Sequence, residues 1–167
     1  MPNTFTLISA QTISSAVATI TFSSIPQTYT DLQLVASCRV SASPASDLIL
    51  KFNGSSTGYT QKYIIGTGAA AVSGSQTYGQ IGVVPGTSHT GSVFGSNSTY
   101  IPNYTSSNYK SFSSDDVYEN NATQAYQSIW ANLWSNTSAI TSIEVSTSNS
   151  GNFVQYSTVY LYGIKNS

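Results

Sequence analysis

The chain has 167 residues, enough for one domain whose core needs no disulfide or metal to hold it. Only 7% of residues are charged, five basic against six acidic for a net charge of -1, so there is no electrostatic footprint for a nucleic-acid backbone and self-repulsion is weak. The single cysteine, Cys38, excludes an internal disulfide and a cysteine-based metal cluster, and no run approaches the roughly 20 apolar residues of a membrane helix.

β-Branched and aromatic residues outnumber Ala, Leu, Glu, Lys, Arg and Met more than twofold. Such side chains pack well on a pleated sheet and lose rotamer freedom in a helix, so the expected fold class is all-β. With so little charge, 31 Ser and 20 Thr must wet the surface. Met1-Pro-Asn-Thr-Phe-Thr-Leu-Ile8 has no basic n-region or long apolar stretch, and the mature chain is expected to start near Met1.

Thr4 to Ile13 is an apolar, Thr-rich run, and Ala18, Ile20 and Phe22 alternate with Thr19 and Thr21, so two strands are expected before Pro26. From Asp31 the alternation is cleanest: Leu32, Leu34, Ala36, Cys38 and Val40 share one face. That row makes Cys38 a small core hydrophobe rather than a nucleophile, which would need an exposed, electropositive setting. After the break at Ser43-Pro44, Leu48, Leu50 and Phe52 resume the pattern up to Asn53-Gly54, a pair suited to the positive φ angles of a tight turn. A hairpin is expected there, with Tyr59, Gln61, Tyr63 and Ile65 as its return strand. Gly66 to Ser75, with three consecutive alanines, reads as a loop.

Further strands are expected at Tyr78 to Val84 and Gly91 to Ile101, with weaker signals at Tyr109 to Ser113 and Val117 to Tyr118. From Thr123 to Trp134 both faces are informative. Ile129, Ala131 and Leu133 form one apolar row, expected to face the core, which places Tyr126, Trp130 and Trp134 on the outer face as interface residues. Ser142 to Val145 is a short strand and Ser148 to Gly151 a turn. Phe153 to Ile164 is the last strand, with Val159 and Leu161 on one face and Tyr160, Tyr162 and Ile164 on the other; a strand apolar on both faces is usually central, and the two tyrosines join the expected interface set. The expectation is one antiparallel β-sandwich domain over residues 1–167, jelly-roll-like, with eight to ten short strands.

No catalytic, cofactor or metal site is expected. The one histidine, His89, lies in a turn-like stretch, Gly86 to Gly91, and reads as a surface loop residue rather than the base of a Ser-His-Asp arrangement. Asp115, Asp116 and Glu119 are the sole carboxylate cluster; paired carboxylates can cleave glycosides or hold calcium, but the calcium-loop spacing is absent and a solvated loop before Val117 is the preferred reading. Five N-x-S/T triplets are no more than chance gives in a chain so rich in Ser and Thr, and glycosylation is discounted.

In the C-terminal third, Trp130-Ala-Asn-Leu-Trp134, Ser138-Ala-Ile-Thr-Ser-Ile143, the turn at Ser148 to Asn152 and the ending Tyr160-Leu-Tyr-Gly-Ile-Lys-Asn-Ser167 resemble small virion structural proteins of tailed phages. Phe5-Thr-Leu-Ile-Ser, Ile20-Thr-Phe-Ser-Ser-Ile-Pro and Tyr29-Thr-Asp-Leu at the other end resemble the same group. The resemblance implies a non-enzymatic component of the outer virion surface, first a capsid decoration (cement) protein. Its partners would be the major capsid protein or other virion proteins and its own copies, in a trimer by analogy with decoration proteins. The alternative it implies is a tail-fibre or carbohydrate-binding adhesin module that stacks a host-surface glycan on tyrosines. Neither reading involves nucleic acid or a membrane.

Overall fold

A two-residue hydrophobic period places successive side chains on opposite sheet faces, and β3 (Asp31–Cys38) follows it: Leu32, Leu34, Ala36 and Cys38 all point into the core. The structure, a computed structural model, describes residues 4–119 and 125–165. Among these, twelve antiparallel strands form two sheets packed as a β-sandwich, more strands than the eight to ten expected. The wide sheet runs β1 (Phe5–Thr12), β12 (Thr158–Ile164), β3, β8 (Gly95–Ile101), β9 (Lys110–Tyr118), β10 (Tyr126–Trp134), β5 (Tyr59–Gly66), β6 (Ala71–Gln76). The narrow sheet runs β2 (Ile20–Phe22), β11 (Ile143–Thr147), β4 (Ala45–Phe52), β7 (Gln80–Pro85). Leu32, Leu34 and Leu161 of the wide sheet meet Leu48, Leu50, Phe52 and Val145 of the narrow one in one continuous core.

Three local expectations change. Asn53 and Gly54 do adopt positive φ (52° and 71°) and the Ser55 N–H closes the turn onto the Phe52 carbonyl at 2.9 Å, but β4 and β5 do not pair. The Asn53 side chain explains the divergence: its amide donates to the Ala139 carbonyl at 2.8 Å while its Oδ1 accepts the N–H groups of Thr141 and Ser142, so the turn is tied to the segment before β11 and the chain crosses between sheets. Gly66 to Ser75 is not a loop, because β6 pairs with β5 through a turn in which the Thr67 N–H reaches the Ala70 carbonyl. Its residues show no alternation because β6 is an edge strand with little buried surface on either face. The two weak segments around Asp115 form one continuous strand, β9; Thr123 and Gln124, expected to open β10, lie outside the described residues.

The two sheets differ in width. β7, one of the two edge strands of the narrow sheet, packs over β8, β9 and β10, so β5 and β6 extend past it and, among the described residues, part of their inner face has no strand opposite.

Candidate functional site

An edge strand presents unpaired N–H and C=O groups that must be satisfied if buried. For β7 the partners come from side chains across the sandwich. The Ile81 carbonyl accepts Asn97 Nδ2 at 2.7 Å and Ser114 Oγ at 2.5 Å, and the Val83 N–H donates to Asp116 Oδ2 at 3.0 Å. The other carboxylate oxygen of Asp116 accepts Trp130 Nε1 at 2.6 Å. Gly82 lets the strands approach: a Cβ there would stand 2.9 Å from the Asp116 carboxyl carbon. Asp116 is 3% exposed, and burial pushes its carboxyl up to about 6 against the opposing pull of the Val83 and Trp130 N–H groups.

This arrangement corrects the solvated-loop reading of the carboxylates. Strand alternation turns Asp115 to the outer face and Asp116 inward, and Glu119 lies exposed just beyond β9, so the three do not converge on one site. His89 is likewise buried rather than a surface residue. Its ring packs edge-on against Tyr118 at 5.2 Å, with Nδ1 2.9 Å from the Pro44 carbonyl oxygen and Nε2 3.3 Å from the Tyr118 hydroxyl. Arg39 clamps this stretch by donating to the carbonyls of His89, Thr90 and Val93. Among the described residues, no three His, Cys, Asp or Glu side chains gather as metal ligands.

The inside-outside assignment of β10 is reversed. Trp130 and Trp134 are each 1% exposed, whereas Ile129 is 63% exposed and Ala131 shares its outer face. Both faces of the strand are apolar, and volume decides between them: indoles bury more area than Ile or Leu, and each finds a fitted place. Trp134 packs with Phe52 at 5.4 Å and Tyr59 at 6.2 Å. Trp130 stands beside the small Ser114 in the register and gives its N–H to Asp116. Tyr126 also lies on the inner side, half-buried, with its ring 5.2 Å from that of Tyr118. Of the five expected interface residues, Tyr160 and Tyr162 do lie on the outer face of the wide sheet, half-buried, their rings 6.5 Å apart.

Two surface features remain. The first is apolar and convergent in register: Ile64 on β5, 60% exposed, is directly opposite Ile129 on β10, and the exposed Val117 on β9 lies diagonal to Ile129. The second is a depression of about 300 Å³ beside the free edge of β7, where Tyr63, Trp130 and Tyr126 of the wide sheet face Asp47 and Tyr78 from the narrow-sheet side. The Tyr78 hydroxyl donates to Asp47 Oδ2 at 3.3 Å, and burial together with the Asp47 carboxylate raises its pKa above the ordinary phenol value. Tyr63 packs against Trp130 at 5.0 Å, and Gly74 on β6 leaves room for its hydroxyl, which a Cβ at that position would strike.

Neither feature was visible as a site in the sequence. Ile64 and Ile129 are separated by 65 positions, and Asp47, Tyr63 and Tyr78 sit in three different strand contexts that only the overhang of β5 and β6 brings together. Comparison with protein-family models, with curated proteins and with solved structures found no match, so the functional reading is built from the chain's own residues.

Proposed function

We propose that this chain is a structural component of a tailed-phage virion: a capsid decoration protein that binds the outside of the shell, and its own copies, through uncharged surface. The observation that carries the reading is the outer face of β5 and β10, where Ile64 and Ile129 stand opposite each other in water at 60% and 63% exposure. Paired aliphatic side chains on an exposed sheet face favour a partner that removes them from solvent. Lys62 and Asp115 are the charged neighbours of that pair on the same face, so the docked surface is close to neutral. The likeness of both chain ends to virion structural proteins supports the major capsid protein as that partner, the particle exterior as the location and a trimer as the assembly.

A jelly-roll topology belongs to the same proposal. The orders β2-β11-β4-β7 and β3-β8-β9-β10-β5-β6, with the chain crossing between sheets at β2 to β3, β3 to β4 and β4 to β5, support two interlocked Greek keys in which one strand position is widened into the meander β8-β9-β10.

The test is electron cryo-microscopy of particles that carry this chain, with the density identified by fitting the sandwich. A repeating position on the capsid lattice is expected. A tail position, or no copies on the particle, would overturn the decoration reading.

A further inference from the structure

The depression beside β7 has a composition that core packing does not require. Asp47, Gln76 and Tyr78 lie outside the hydrophobic core, yet they converge with the half-buried rings of Tyr63 and Tyr126 on one concave surface. A volume of about 300 Å³ lies at the small end of ligand sites and suits a single ring-sized ligand. Its chemistry is specific. Tyr63 and Tyr78 offer flat apolar area with polar tips, as tyrosines in adaptable binding surfaces do. Asp47 Oδ2 accepts the Tyr78 hydroxyl, and Asp47 Oδ1 accepts no hydrogen bond among the described residues, so the carboxylate keeps capacity for an O–H donor. The exposed amide of Gln76 adds one donor and one acceptor function at the rim.

A ligand that matches must have an apolar face for the tyrosines and a rim of hydroxyls for the carboxylate and amide, which is the chemistry of a pyranose. Among the described residues, Asp47 is the one charged side chain lining the depression and no Lys, Arg or His lines it, so an anionic ligand would meet uncompensated negative charge. We propose that this depression binds one neutral hexose unit of a glycan, with the apolar sugar face against Tyr63 and Tyr78 and hydroxyls on Asp47 and Gln76. The site does not depend on the decoration reading: it uses the inner, overhanging flank of the wide sheet, whereas the shell is assigned to the outer face.

Trp130 forms part of the floor and is one of only two tryptophans, so intrinsic fluorescence reports occupancy. The purified full chain is titrated with the methyl glycosides of glucose, galactose, mannose and N-acetylglucosamine, and with methyl glucuronide as the anionic comparison. At least one neutral glycoside is expected to give a saturable change. Asp47→Ala should weaken that binding about tenfold or more, since a charge-assisted hydrogen bond is lost. Tyr78→Phe, which removes a hydroxyl and keeps the ring, should weaken it less, and Ile129→Ser on the opposite face should leave it unchanged. Asp47→Asn serves as a second variant if the alanine form does not fold. Failure of every neutral glycoside to saturate, glucuronide binding as tightly as the neutral sugars, or full binding by a folded Asp47 variant would each overturn the proposal. A particle in which the chain sits elsewhere than on the capsid would not.

Discussion

The tie between Asp116 and the β7 edge predicts an unusual pH dependence of stability. An aspartate that is free in the unfolded chain titrates at 3.8, whereas burial holds the folded Asp116 carboxyl at about 6. Below about pH 4 both states carry the proton. Between about 4 and 6 the folded state keeps a proton that the unfolded state has released, so raising the pH through this window favours unfolding. A shift of about two units, at about 1.4 kcal/mol each, corresponds to about 3 kcal/mol of stability present in acid and lost by neutral pH. Urea denaturation of the wild type and of Asp116→Asn at half-unit steps from pH 4 to 8 measures this directly. The wild type is expected to lose on the order of 3 kcal/mol across the window, and the asparagine variant, which cannot titrate, to stay flat relative to it. Parallel pH profiles, or a wild type that gains stability as the pH rises through the window, would refute the burial of this carboxylate.

Trp134→Ala should destabilise the fold by about 3–5 kcal/mol in the same denaturation assay, because the indole is fully enclosed by Phe52 and Tyr59; a cost near zero would return it to the surface. Cys38, 1% exposed and with its thiol pushed up to about 12 by burial, should resist a disulfide reagent at pH 8 until the protein unfolds, and rapid stoichiometric labelling of the native chain would contradict its core position. Ile129→Ser should change stability by no more than about 0.5 kcal/mol, as expected for an exposed position, and a large loss would mean that the outer face packs against part of the chain itself.

How far the sequence could be read depended on whether one face of a strand was clearly apolar. β3 was legible, down to the core position of Cys38, because Leu32, Leu34 and Ala36 share one face while Gln33 and Ser37 leave the half-buried Val35 as the single apolar residue on the other. β12 was legible as an interior strand, and it lies between β1 and β3. β10 was not, since Ile129 and Leu133 on one side and Trp130 and Trp134 on the other leave the hydrophobic period without a sign. The deciding partner, Asp116, is a charged residue whose burial depends on the β7 edge it satisfies, a contact 33 positions distant in sequence. β6 carries almost no burial pattern, and the divergence of β4 from β5 rests on the long-range bonds of one asparagine side chain. The candidate site was illegible for the same reason: it is made by unequal sheet widths, which no local pattern records.

The central claim, that the outer face of β5 and β10 docks on a capsid shell, is tested most directly by co-sedimentation of the purified chain with shells lacking it. The wild type is expected to pellet with the shells, and Ile64→Asp/Ile129→Asp, on exposed positions that leave the core intact, to lose about 2 kcal/mol or more of association, roughly a thirtyfold weakening. Equal binding by the folded double variant would contradict the claim.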